Sequence, residues 1–245
     1  MTVDSRGRIS SSHPPPIYLV PWDPNSQQHV DRMKLQRIAC GWKVDQVDGW
    51  RESQRNGELG LHWVVLHPDH PETAPRLKRH LLAFPDEQEA LSDTSTTILG
   101  RAHKLNPSSP SFCPVGHIAL DSVTCAPELQ SSLANGILSL MNFYISTPLQ
   151  NLGLGGVALR CCEEMARDEL GAKAITLEAI ANEECSIDSP RRIAMKREVP
   201  IVTNQDWYAR RGYKIYAAKD VAWIDVDDTG KEWKVRAWFM RKDLV

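Results

Sequence analysis

The residues of this chain whose types and spacing could do chemistry lie in one run, Gln150-Asn151-Leu152-Gly153-Leu154-Gly155-Gly156. It stands between an apolar stretch and the start of an amphipathic one. Glycines let backbone N–H groups come close to an anion, and a helix N-terminus adds unpaired donors and the positive end of a dipole. A phosphate-bearing ligand suits such a turn, although a glycine turn that merely opens a helix has the same pattern. A P-loop is excluded, because Gly156 is followed by Val157 where Lys and Ser or Thr are needed. The dinucleotide fingerprint is a closer rival, since Gly153-x-Gly155-x-x-Ala158 satisfies it and Glu178 lies where a ribose-binding acid would. Against it, Pro148 and its neighbours separate the preceding strand from the first glycine. The residues after Glu178, moreover, read as a helix and a hairpin rather than the rest of a doubly wound sheet.

The elements that position this turn are indicated by periodicity. Ile137–Ile145 is rich in apolar and aromatic residues and reads as a buried strand. A helix over Gly156–Leu170 places Val157, Leu159, Cys161 or Cys162, Met165 and Leu170 inward and Glu163, Glu164, Arg167 and Asp168 outward, with Gly171 ending it. Ala174–Ile180 is a second buried strand, so the turn sits in a strand–turn–helix–strand unit with a right-handed crossover. Upstream, strands are expected at Ile17–Val20, Leu59–Leu66, Ile98–Leu105 and Val115–Val123. Helices are expected over Gln27–Ala39, with Val30, Met33, Leu35 and Ile38 inward, and over Val44–Arg55 and Ala74–Phe84. Downstream, Thr203–Arg211 reads as a short helix closed by Gly212. Tyr213–Asp225 and Trp233–Arg241 read as a hairpin through Asp227-Asp228-Thr229-Gly230. Segments 67–97 and 182–203 read as insertions, and residues 1–16 as a flexible tail ahead of one domain, 17–245.

Composition narrows the function classes. A net charge of −2 gives no reason to expect nucleic acid or an anionic membrane as partner. No stretch approaches the roughly 20 apolar residues of a membrane helix, and no signal peptide is visible, so a cytoplasmic protein is expected. The six cysteines contain no C-x-x-C pair, which reads as reduced thiols rather than a zinc site or disulfide framework. His67 and His70 flank Pro68 in a loop and read as surface histidines, and no metal is expected.

Gln150-x-x-Gly153-x-Gly155 resembles the acetyl-CoA signature Q/R-x-x-G-x-G/A of the GNAT superfamily of N-acetyltransferases. Asp206-Trp207-Tyr208-Ala209-Arg210-Arg211-Gly212-Tyr213 resembles its second landmark, a helix that bears a Tyr and closes with Gly-aromatic. The resemblance covers roughly residues 137–216.

The resemblance implies a mixed, splayed seven-stranded sheet, in the order strand–helix–helix–strand–strand–strand–helix–strand–helix–strand–strand, enlarged by insertions. It implies acetyl-CoA as co-substrate, its pantetheine paired with backbone of Phe143 and Ile145. Its pyrophosphate would lie at Gln150, Asn151, Leu152, Gly153, Leu154, Gly155 and Gly156. Tyr208 takes the general-acid position for direct attack by a primary amine, of a small molecule or a peptide. The N-terminal helices, the insertions and the C-terminal hairpin would bind that acceptor. No base is assigned: the strand Ile137–Ile145 carries no acid, and Asp121 and Glu178 remain open beside a water chain. Asn204 departs from the superfamily's usual Asn position. A nucleotide-binding oxidoreductase and a non-catalytic acyl-CoA binder remain as alternatives.

Overall fold

The computed structural model describes residues 13–105, 111–123 and 126–244. Residues 1–12 of the expected tail, residues 106–110 of the proline-rich loop, and Cys125 lie outside the described residues. Seven strands form one sheet: β1 (Ile17–Pro21), β2 (Leu59–Leu66), β3 (Pro114–Asp121), β4 (Ile137–Ile145), β5 (Ala174–Ile180), β6 (Lys214–Val226) and β7 (Glu232–Asp243). Their order is β1-β2-β3-β4-β5-β7-β6. The helices are α1 (Gln27–Cys40), α2 (Val47–Arg55), α3 (Thr73–Ala83), α4 (Leu154–Asp168), α5 (Pro190–Ala194) and α6 (Asn204–Ala209). The sheet is mixed: β1/β2, β2/β3, β5/β7 and β6/β7 are antiparallel, and β4/β5 is parallel. Of the five described pairings four are antiparallel, where a doubly wound sheet is mostly parallel, which removes the fold that the dinucleotide reading needs.

The chain packs as two compact units, Met1–Asp121 with Met141–Ala166, and Ser122–Leu140 with Arg167–Val245. In the first unit all eight residues of β2 are buried, which explains a strand sequence with no polar alternation. Trp22, Val30, Met33, Val47, Trp50, Leu61 and Trp63 form its core. Helix α1 is capped by Ser26, whose hydroxyl accepts from the His29 amide, and ends at Gly41 with φ 75°.

The inward face of α1 differs from the expected apolar one. Val30 and Met33 are buried as expected, but Ile38 is 64% exposed and Leu35 only half-buried. His29, Arg32, Gln36 and Arg37 are buried instead. Each finds polar partners inside. His29 Nδ1, for example, accepts from the Asp23 amide and from Trp63 Nε1, while Nε2 meets the Ser92 carbonyl. Apolar periodicity cannot reveal a helix face buried by hydrogen bonding.

Three further expectations are corrected. Ile98–Leu105 is a two-residue hairpin, Thr97–Ile98 against Arg101–Ala102, with Leu99 and Gly100 at positive φ forcing the turn. Within segment 182–203, expected as a loop, α5 forms around Arg191, whose guanidinium is buried between Glu184 and Asp225. On α4 the buried stripe is Leu154, Ala158, Leu159, Cys162 and Ala166, with Glu163 also buried and Val157 and Met165 only half-buried. The stripe is rotated because small Ala side chains, rather than the larger residues, set the closest packing.

The second unit contains the β6–β7 hairpin. Its turn is held by the Asp227 carboxylate, which accepts from the amides of Thr229 and Lys231 and from Trp233 Nε1. These bonds stabilise the charged form and hold the Asp227 carboxyl far below the usual carboxylate range. Strand β5 pairs with β7 along its whole length, Ala174↔Asp243 to Ile180↔Ala237. It pairs with β4 only over Ile137–Ser139 against Ala174–Thr176. There the Ser139 and Thr176 hydroxyls bond at 2.9 Å and the Thr176 hydroxyl donates to the Leu129 carbonyl.

The first unit offers two tests of stability. A Cβ on Gly116 would run into the carbonyl oxygen of Tyr144. Gly116→Ala should therefore cost roughly 1–3 kcal/mol, read as a fall in melting temperature of about 2–4 °C per kcal/mol. Burial also holds His62 down at about 4 and His117 well below the ordinary histidine value. Both groups titrate lower folded than unfolded. Their stabilising contribution is therefore complete above about pH 6.5 and is lost as pH falls toward 4, at up to about 1.4 kcal/mol per pH unit for each. Melting temperature should drop steadily across that range, and a flat profile would contradict this.

Candidate functional site

The site is built from the exit of β4. Asn142, in mid-strand, has φ 49°, a conformation that Asn tolerates better than the apolar residues around it. The burial pattern of β4 changes there: Leu138, Ser139 and Leu140 are buried, Met141 to Phe143 half-buried, Tyr144 and Ile145 buried. Asn142 Nδ2 has no hydrogen-bond partner among the described residues. One Asn inside an otherwise apolar and aromatic strand was the available sequence signal for this left-handed residue, and periodicity alone passes over it.

Past Ile145 the chain is pinned repeatedly. The Ser146 amide donates to the Val115 carbonyl at 2.8 Å, and the Ser146 carbonyl accepts from the Leu149 amide at 2.8 Å. Thr147–Leu149 form a single 3-10 turn with Leu149 fully buried. Gln150 Nε2 donates to the Ile145 carbonyl at 3.0 Å, so this side chain ties the turn back to the strand it leaves. Asn151 at φ 63° and Gly153 at φ 81° then reverse the backbone into α4. Nothing lies within 4 Å of a Cβ built on Gly153, so its backbone angle rather than space requires glycine there.

The outcome is a row of available donors. The Gln150 amide is used by Thr147, and those of Gly156 and Val157 reach the Gly153 carbonyl. Among the described residues, no protein acceptor meets the amides of Asn151, Leu152, Gly153, Leu154 or Gly155. Asn151, Leu152 and Gly153 are exposed, whereas Leu154 is buried and fixes the helix start. The first turn of α4 carries no acidic side chain to repel an anion.

Beneath β4 lies a buried polar chain that the sequence did not disclose. His117 of β3 packs its ring 5.5 Å from that of Tyr144. Its Nδ1 meets Gln36 Oε1 at 2.9 Å and its Nε2 meets Arg37 at 3.2 Å. Burial, and then the Arg37 charge, keep His117 neutral. Gln36 also donates to Glu87 Oε2 at 3.0 Å, and Glu87 lies 3.6 Å from His80 Nε2. His80 Nδ1 is 2.7 Å from Ser146 Oγ. Burial pushes the Tyr144 phenol up to about 12, so it stays protonated at neutral pH.

In the second unit Tyr208 is half-buried on α6, its ring edge-on to Trp207 at 5.0 Å and to Tyr213 at 5.5 Å. The helix is capped by Thr203, whose hydroxyl accepts from the Asp206 amide, and anchored by Asn182 through Gln205 and Asp206. Asn204 is exposed. Glu178, one of the two base candidates, lies 3.9 Å from Lys219 Nζ, and Asp121 is half-buried at the end of β3. His67 and His70 each accept a nearby loop amide, from Asp69 and Glu72. Among the described residues, no group of three His, Cys, Asp or Glu is placed to hold a metal, and no helix is long and apolar enough to cross a membrane. Cys40, Cys113, Cys161, Cys162 and Cys185 are unbridged.

No family model matches the chain, and no curated protein matches it. Solved structures do. An aminoglycoside 6'-N-acetyltransferase complexed with coenzyme A aligns at TM-score 0.49 and 12% identity, over 93% of this chain and 97% of that one. The aminoglycoside 6'-N-acetyltransferase from Enterococcus faecium aligns at 0.48 and 13%, over 93% and 97%. A spermidine N-acetyltransferase chimera built partly from Vibrio cholerae aligns at 0.49 and 7%, over 94% and 96%.

Proposed function

We propose that this chain is an acetyl-CoA-dependent N-acetyltransferase of the GNAT type, transferring an acetyl group to a primary amine. The observation that carries this reading is the run of amides from Asn151 to Gly155, without protein acceptors, at the start of a fifteen-residue helix. Partial positive charge at a helix start, and donors not already spent, are what a diphosphate needs. Gln150 serves this by holding the turn closed onto β4. The pantetheine arm would pair with backbone of Phe143 and Ile145 on β4, after the left-handed Asn142.

The reaction is direct acyl transfer. The neutral amine nitrogen attacks the thioester carbonyl carbon, a C–N bond forms and the C–S bond breaks. Main-chain donors of β4 near the carbonyl oxygen would stabilise the developing oxyanion, an effect worth about 3–4 kcal/mol per donor. Tyr208 would donate its proton to the departing thiolate. The nascent ammonium gives its proton to solvent through a water chain, and Glu178 faces Lys219 Nζ at 3.9 Å. The acceptor is an amine, and a small molecule is preferred over a peptide because no acidic peptide-binding stretch stands out in the sequence.

Thermal-shift measurement should show stabilisation by CoA and acetyl-CoA and none by NAD(H) or NADP(H). Acetyl-CoA with a broad amine panel should release free thiol. Stabilisation by CoA without turnover would identify a binder instead of an enzyme. Gly153→Val places a β-branched residue at φ 81° and displaces the turn. Losing one charge-assisted amide bond, about 1.5–3 kcal/mol, should raise KM for acetyl-CoA roughly 10–100-fold. An unchanged KM in a folded variant counts against the turn as the pyrophosphate site. Tyr208→Phe should lower kcat at least tenfold with little change in acetyl-CoA KM; wild-type turnover would remove the acid role.

A further inference from the structure

The segment between β2 and β3 was expected to help bind the acceptor, yet two of its side chains turn away from solvent and meet the cofactor turn. His80 is the single buried residue of α3, and Glu87 is 2% exposed. Pro85 stops α3, because it can neither donate an amide nor fit the next helical turn, and Phe84 leaves helical geometry at φ −131°. The following 3-10 turn brings Glu87 back beneath the helix to His80 Nε2. On the other side of the ring, Nδ1 lies at 2.7 Å from the hydroxyl of Ser146, the residue between the last position of β4 and the 3-10 turn. Ser146 is fully buried.

Glu87 Oε2 stands 3.6 Å from His80 Nε2, close enough to bias the ring's tautomer through its charge, although Nε2 makes no hydrogen bond among the described residues. Glu87 sits among cationic and donor groups, with Arg32 Nε at 4.0 Å and Gln36 Nε2 at 3.0 Å. A carboxylate facing Nε2 favours the tautomer with the proton on Nε2, which leaves Nδ1 as an acceptor. Ser146 Oγ–H therefore donates to His80, and that bond complements the two main-chain bonds of Ser146. Serine, imidazole and carboxylate in line have the form of a nucleophile relay. None of the three reaches solvent, so the arrangement acts on geometry rather than on substrate.

We infer that His80, oriented by Glu87, is a positioning residue for the cofactor turn: it clamps Ser146, and through it sets where the amides from Asn151 to Gly155 point. This inference rests on the proposed function for its kinetic consequence, though not for the clamp itself. The two ring nitrogens can be tested separately while side-chain volume is largely kept. In His80→Asn the amide occupies the place of Nδ1 and keeps the Ser146 bond; in His80→Gln it occupies the place of Nε2 and keeps only the Glu87 contact.

For both variants and the wild type, acetyl-CoA KM and kcat would be measured, together with hydrogen exchange of the Leu149, Gln150 and Gly156 amides in the free protein. H80Q should raise acetyl-CoA KM about tenfold with kcat within twofold, and speed exchange at those amides about tenfold. H80N should recover most of both losses. Ser146→Ala should match H80Q, and the double variant should be no worse than either. A role in packing alone would impair H80N and H80Q alike, or lower only the melting temperature, and either result overturns the clamp. Wild-type KM and exchange in H80Q overturn it equally. Should the wild type bind no CoA at all, the enzyme reading falls, and the exchange split between H80N and H80Q still decides the clamp.

Discussion

The structure turns on a shortage of acceptors at one place. A chain leaving a buried strand must satisfy its polar backbone or present it to solvent. Here the exit from β4 is satisfied tightly as far as Gln150, by Val115, Thr147 and the Gln150 side chain itself. Beyond it, five successive amides have no protein partner among the described residues. Asn151 and Gly153 achieve this by taking left-handed backbone angles, which rotate N–H groups away from local carbonyls. The buried Leu154 and Leu149 hold both ends of the turn in place. A row of unengaged backbone donors therefore comes from backbone conformation and core packing.

That economy shapes the rest of the first unit. A main-chain site is only as well defined as the segments that support it, so precision must come from buried neighbours. Tyr144 and Ser146 face a polar layer formed by α1, β3 and α3, in which Gln36 touches both His117 and Glu87. Burying such groups is costly unless each is hydrogen-bonded, and the chain from Arg37 through His117 and Gln36 to Glu87 meets that condition, whereas His80 bonds Ser146 through Nδ1 and meets Glu87 only by proximity. It also explains why α1 has a polar inward face.

The second unit is organised by the β6–β7 hairpin. Its turn is set by Asp227, and β7 pairs with the whole of β5. The pairing of β5 with β4 covers Ile137–Ser139 against Ala174–Thr176.

The sequence by itself determined the elements whose signals are local. Leu59–Leu66, Ile137–Ile145 and Ala174–Ile180 are strands over those same residues. The glycine turn lies between strand and helix as read, because glycine, proline and apolar periodicity act over a few residues. What depended on contacts between distant residues was decided only by the tertiary structure. The polar face of α1, the burial of Glu163 and the hairpin at Leu99–Gly100 all override local pattern. Ser146 lies 66 residues along the chain from His80, and His80, Glu87 and Ser146 carry no shared motif. Hydrogen bonding between buried groups leaves no periodic trace in a sequence, so only the fold could bring them together.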